Sequence, residues 1–178
     1  DSKGVWLTAS EMAFCRAEGA LAGWSNMGGS AKDLYEEGVK LSFEQWGAGS
    51  ATAYLADNTS TEKNYVDPIS EYGGDVSAVS NITIKWDDSA TDEQKMERLI
   101  TQKWIAMFPN GQEGWSEIRR TGYPKVFPLA QSTDYSIQVA NRIPFDIDEA
   151  TNNKANYIKA VQLLKGNDDY ATKMWWQR

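Results

Sequence analysis

Residues 96–124 read MERLITQKWIAMFPNGQEGWSEIRRTGYP, and this stretch decides the fold. Ile100, Trp104 and the Met107/Phe108 pair recur at steps of three and four, so they share one face of a helix. Thr91 followed by Gln94 fits a capping box, because the hydroxyl and the amide satisfy free N–H groups at a helix start. Pro109-Asn110-Gly111 breaks that helix: proline removes a donor, and glycine accepts a left-handed backbone. A second helix follows over about 112–121, with Trp115, Ile118 and Arg119 on one side. Gly122-Tyr123-Pro124 ends it. The residues alone predict a helical hairpin with Trp104, Phe108 and Trp115 as core filler. The paired Arg119 and Arg120 are expected to be structural, one of them buried against the aromatics while pairing with Glu97, Glu113 or a helix C-terminus.

Working outward, composition bounds the rest. At 178 residues the chain is long enough for one well-buried domain over 1–178. It is 41% hydrophobic and 24% charged, with eight Trp and eight Tyr. A net charge of −7 argues against nucleic acid, whose phosphates need clustered Lys and Arg. It argues equally against docking on an anionic membrane face. An acidic, aromatic-rich surface suits a neutral ligand better, and sugars are one such class. The single cysteine, Cys15, excludes an intrachain disulfide. Its small neighbours Ala13, Ala17 and Gly19 predict a buried hydrophobe there. No run of eighteen apolar residues exists, so no membrane span is expected.

Upstream, the sequence TASE at 8–11 opens a helix to about residue 23. That helix is rich in small residues that allow close approach of a neighbour, and Met12, Cys15 and Leu21 are its larger apolar contacts. WSNMGG at 24–29 is a turn, and a second helix runs over about 30–46 with Leu34, Leu41, Val39, Phe43 and Trp46 on adjacent faces. Two such helices joined by a short turn, over 7–47, make one unit of tetratricopeptide type. No 34-residue self-repeat is present, so no array follows from it. Residues 48–92 read as a long, mostly irregular loop region, with 82–86 (ITIKW) alternating as a candidate strand. A loop of this length in a compact domain is functional or mobile. Downstream of the hairpin at 93–124, residues 125–178 hold an extended segment and a last helix over about 152–164. Gly166 is expected as its left-handed cap, and Met174-Trp175-Trp176 as a pin on the core. The fold class is therefore mainly α, an α-α superhelix or tetratricopeptide-like pair with a few short strands and long loops.

Candidate chemistry is sparse. The absence of His removes the commonest general base, the triads that need it, and most zinc sites. No phosphate loop is present, and Asp57-Asn58 and Asp87-Asp88 lack the spacing of a calcium loop. No metal and no cofactor are expected. Glu113 and Glu117 share a helix face on either side of Trp115, yet hydrolysis of a glycosidic bond needs carboxylates on opposite sides of it. Sugar binding without catalysis needs aromatic faces for the C–H face of a pyranose, with polar groups for its hydroxyls. The loop region offers Tyr54, Tyr65, Tyr72 and Trp86 for that role.

RLITQKWIAMFPNGQEGWSEIRRTGYP is similar to the signature segment of the SusD/RagB-like outer-membrane lipoproteins. LTASEMAFCRAEGALAGW with LYEEGVKLSFEQWG, and NRIPFDIDEATNNKANYIKAVQLLKGNDDYATKMWW, resemble the same family in the same order. The resemblance implies a C-terminal portion of a larger protein, anchored through an N-terminal lipid that this chain lacks. It implies a non-enzymatic protein on the outer face of the outer membrane. Oligosaccharides or polysaccharides would be its ligands, and a TonB-dependent (SusC-like) transporter its partner. A helical protein-interaction module is the alternative, and a glycosidase using Glu113 and Glu117 a third.

Overall fold

The computed structural model describes residues 5–69, 74–127 and 139–177. Within them the chain forms seven helices: α1 (Ala9–Leu21), α2 (Ala31–Trp46), α3 (Thr52–Ala56), α4 (Asp92–Ala106), α5 (Gly111–Thr121), α6 (Ile147–Asn152) and α7 (Lys154–Leu164). The described residues contain no strand beyond one isolated antiparallel bridge, Tyr65 with Val76. The fold is mainly α, and the strand expected at 82–86 is replaced by irregular backbone, whereas most of the extended segment expected after 125 lies outside the described residues.

The helix starts follow their capping chemistry. Thr8 accepts from the Glu11 N–H at 3.0 Å, and Ser30 from the Asp33 N–H at 3.1 Å. Thr91 and Gln94 form the full reciprocal capping box that opens α4. Gly47 and Gly122 end α2 and α5 in left-handed conformations, with φ of 63° and 79°. At the end of α7 the left-handed residue is Lys165, φ 56°, and not Gly166. Gly166 instead lies close under Thr172, where a Cβ would come within 2.9 Å of that side chain.

α1 and α2 pack as an antiparallel pair, and α4 lies across both. The core is built from Phe14 and Ala17 of α1, Leu34, Tyr35 and Val39 of α2, and Leu99 and Ile100 of α4, with Trp86 and Tyr123 from the loops. Phe14 is wholly buried and meets Gly38 directly, since a Cβ there would sit 2.8 Å from its ring. Beside it the Ser10 hydroxyl donates to the Gly38 carbonyl at 2.7 Å, which satisfies a buried polar group at the tightest point of the pair. The buried stripe of α1 is thus Ser10, Ala13, Phe14 and Ala17. Met12 and Cys15 lie on its outer side and are exposed, so the expected burial of Cys15 is corrected.

The described parts of the loop from 57 to 90 are stitched down by side chains. Asp57 turns the chain by accepting from the Thr59 and Ser60 N–H groups, and Glu62 accepts from those of Val79 and Ser80. The candidate strand at 82–86 does not form, because its backbone groups have other partners. Arg98 donates to the Thr83 carbonyl, Tyr35 to that of Ile84, and the Lys85 N–H donates to the Asp57 carbonyl. Trp86 then enters the core against Tyr35, with ring centroids 5.2 Å apart.

The C-terminal part is held more sparingly. α6 and α7 pack on each other, and neither contains a fully buried residue. Arg142 pairs with Asp168 at 2.6 Å in a nearly dry setting, closing the segment that carries both helices. Asn141 donates to the Ala171 carbonyl at 2.7 Å. Trp175 is 92% exposed, so it does not pin the chain end, and the contact to the hairpin comes from Trp176.

Candidate functional site

The aromatics of the hairpin do not fill the core. On α4 the inward positions are Leu99, Ile100, Lys103 and Ala106, with Met107 just beyond. This leaves Trp104 (40% exposed) and Ile105 on the outer face, and Phe108 is 70% exposed. The expectation of a buried aromatic stripe is therefore corrected. The helix turns its lysine and small residues inward because a buried acid waits there. Lys103 reaches Glu117 of α5 at 2.9 Å, with both side chains almost dry.

Trp104 and Ile105 form a ridge between two hollows. On one side is an apolar hollow of about 620 Å³, walled by Phe108, Pro109, Trp115, Ile118 and Val139. Gly114 lets α5 approach the ridge, because a Cβ there would lie 3.0 Å from Trp104 Nε1. Trp46 leans on Phe108, with centroids 6.1 Å apart, and extends the aromatic rim. Trp115 is fixed by its own N–H, which donates to the Ala140 carbonyl at 2.7 Å.

The hollow on the other side is about 440 Å³ and mixes aromatic with polar walls. Tyr54, Trp104 and Phe127 provide ring faces, and Glu62, Thr101, Gln102 and Lys125 provide donors and acceptors. Tyr54 is oriented by Phe43, 5.2 Å away, and its hydroxyl donates to Gln102 at 2.9 Å. Burial pushes the Tyr54 phenol up, which keeps it a neutral donor. Lys125 is held 3.2 Å from the buried Glu97, which also accepts from Ser80 at 2.7 Å. Ring faces beside fixed donors and acceptors suit a polyhydroxylated, partly apolar ligand.

Of the four aromatics expected from sequence, the structure brings two to this place. Tyr54 lines the mixed hollow, and Tyr65 stands beside it, its ring 6.3 Å from that of Phe127. Trp86 is only 7% exposed and its indole N–H donates to Asp88 at 3.0 Å. Its ring belongs to the core and offers no free face for stacking. Tyr72 lies outside the described residues. Trp104 and Phe127 were not anticipated as lining residues. Trp104 matches a helical stripe, and Phe127 has no pattern around it that would single it out.

The acids and arginines of α5 separate by role. Glu117 is buried between Lys103 and Arg120, at 2.9 and 2.7 Å, and Arg120 also grips Glu18 of α1 at 2.6 Å. Burial pushes the Glu117 carboxyl up, but the Arg120 and Lys103 contacts outweigh it and the carboxyl stays below its ordinary value. Burial likewise pulls Lys103 down, and Glu117 more than restores it. Glu113 remains exposed at the surface. An acid locked to two cations beside an exposed one is no pair of catalytic carboxylates. Arg120 thus pairs with Glu117 and Glu18, not with Glu97 or Glu113. Arg119 pairs with neither; it packs against Trp115 and Trp176, 4.0 and 4.7 Å from their ring centres. Among the described residues no group of His, Cys, Asp and Glu is placed to hold a metal.

The model of the SusD-like family, described as SusD and RagB outer membrane lipoproteins, matches residues 1–177. Several solved structures are similar. A SusD-like protein from Bacteroides thetaiotaomicron is 48% identical over 95% of this chain, with a TM-score of 0.84. A chitin-binding SusD homolog from Flavobacterium johnsoniae is 45% identical over 96% of the chain, also with a TM-score of 0.84. A SusD homolog from Bacteroides vulgatus is 39% identical over 99% of it, with a TM-score of 0.87. The chain spans 36% of the length of each of these three structures. No curated protein matches it. A match along nearly the whole sequence, with the same helical arrangement at this identity, places the chain in the SusD-like family of outer membrane lipoproteins.

Proposed function

We propose that this chain is part of a non-enzymatic surface protein that captures oligosaccharides. It would work at the extracellular face of the outer membrane, delivering its ligand to a TonB-dependent transporter. The observation that carries the reading is the mixed hollow, where Tyr54, Trp104 and Phe127 surround Glu62, Thr101, Gln102 and Lys125. Ring faces take the C–H side of a pyranose and the polar groups take its hydroxyls. The 45% identical chitin-binding homolog supports a glycan as the class and makes chito-oligosaccharides the first to try. The lock of Lys103 and Arg120 on Glu117 supports binding without turnover. Modest affinity at one hollow is sufficient, because a polymeric ligand engages several sites at once. Anchoring would come from a lipid on a preceding segment, as the family's description implies.

Affinity electrophoresis in gels containing chitin derivatives, starch and plant polysaccharides tests this. The protein is expected to be retarded by at least one polymer, and Tyr54→Ala and Trp104→Ala to migrate freely in the same gel. Free migration of the unaltered protein in every gel would refute the reading, and so would equal retardation of both variants.

A further inference from the structure

The neighbouring arginines of α5 differ in their anions. Arg120 has two carboxylates, those of Glu117 and Glu18, within 2.7 Å. Arg119 has none: its Nε is buried without a partner, and no hydrogen bond or ion pair joins its Nη nitrogens to a described residue, while the residue as a whole is partly exposed. Its Cζ lies 4.0 Å from the Trp115 ring centre and 4.7 Å from that of Trp176. An oxyanion meets a guanidinium packed on aromatic rings in its own plane, at the Nη edge. That edge matches the two oxygens of a carboxylate. Desolvation lowers the proton affinity of Arg119, with no anion to offset it. The rings hold it rigid, so little freedom is lost when an anion arrives. Trp115 is both a plate of this stack and a wall of the apolar hollow. A sugar resting on that wall shares Trp115 with the guanidinium.

We infer that Arg119, packed against Trp115 and Trp176, is a carboxylate subsite, and that the glycans captured include hexuronate-containing ones. This rests on the glycan-binding reading above and names the class of sugar. The chain's net charge of −7 repels polyanions at long range, so a preference for acidic sugars has to come from a short-range contact.

The test compares polygalacturonate and alginate with their methyl esters, which keep the skeleton and remove the charge. Binding is measured by titration calorimetry in 0.15 M salt. At least one acid form is expected to bind roughly tenfold more tightly than its ester, the scale of one charge-assisted bidentate contact. Arg119→Gln should abolish that preference, and Arg119→Lys should keep only part of it, since lysine cannot present two donors in one plane. Equal binding of acid and ester by the unaltered protein would overturn the inference without any variant having to fold. A preference that survives Arg119→Gln would overturn it as well. If neutral oligosaccharides bind and uronates bind no better than their esters, the glycan reading stands and this one falls. If no saccharide of either charge binds, both fall.

Discussion

The pair between α4 and α5 can be tested with a definite magnitude. Lys103 and Glu117 lie 2.9 Å apart with side chains 5% and 8% exposed, so water screens neither. Replacing Glu117 by Gln leaves a buried ammonium with no counter-charge, and breaking a buried pair on one side costs about 3–5 kcal/mol. The lower end applies, because the Gln carbonyl can still accept from Lys103. Arg120 is 40% exposed and keeps Glu18, so its loss is small. About 3 kcal/mol lowers Tm by roughly 6–12 °C in a domain of this size. Removing both charges, as in Lys103→Met with Glu117→Gln, leaves no orphan, and such replacements are often close to neutral. The double variant should therefore lie within about 1 kcal/mol of the parent, a coupling of about 2 kcal/mol or more. Urea unfolding followed by Trp fluorescence gives all four stabilities. A single variant as stable as the parent, or a double variant worse than both singles, would refute the argument.

Other expectations follow from the same geometry. Folded Glu117 lies below its ordinary value, so its contribution is present above about pH 4.5 and lost as pH falls through the folded value. Folded Lys103 lies above 10.5, so its contribution is present below that pH and lost as pH rises beyond it. Thermal melts should show a plateau between those limits and a fall on both sides, which the Glu117→Gln/Lys103→Met protein shows less steeply. Gly38→Ala drives a methyl to within 2.8 Å of the buried Phe14 ring. Overpacking of this kind costs about 1–3 kcal/mol against a gain of about 1 from helix propensity. Tm should fall by a few degrees, and a rise would contradict the tight α1–α2 contact. Cys15 is exposed, so it should react with a chromogenic disulfide reagent in the native protein without denaturant. Reaction only after denaturant is added would place it in the core after all.

Much of the scaffold was legible in the sequence, because capping and punctuation are local. Thr8, Ser30 and Thr91 open their helices where the side-chain oxygens predict, and Gly47 and Gly122 close two of them. What was not legible depends on partners far along the chain. Phe14 is the centre of the α1–α2 contact only because Gly38, in another helix, leaves room for its ring. Met12 and Cys15 looked equally apolar and face outward. Trp104 fits a buried helical stripe, and only the ion pair reaching across to Glu117 explains why Lys103 turns inward and the indole outward. Residues 82–86 alternate like a strand, yet Asp57, Tyr35 and Arg98 take the backbone groups a neighbouring strand would need. For the site, the expectation of aromatics with polar neighbours in the loop region names Tyr54 and Tyr65, which lie at and beside the mixed hollow. It misplaced Trp86, whose ring is matched to Tyr35. Arg119 and Arg120 are adjacent and chemically identical, and only their surroundings assign Arg120 to an ion-pair network and Arg119 to contact with two indoles.

A captured sugar is expected to stack on the ridge formed by Trp104. Eight Trp give eight indole N–H signals in a nitrogen–proton correlation spectrum, and Trp104→Phe and Trp86→Phe assign the two that matter. Titration with chito-oligosaccharides and a neutral plant oligosaccharide panel should move the Trp104 signal saturably with at least one of them. The Trp86 signal, from a ring packed on Tyr35 in the core, should stay in place. A saturable response in other indoles while Trp104 remains still, or no response to any saccharide, would contradict the account.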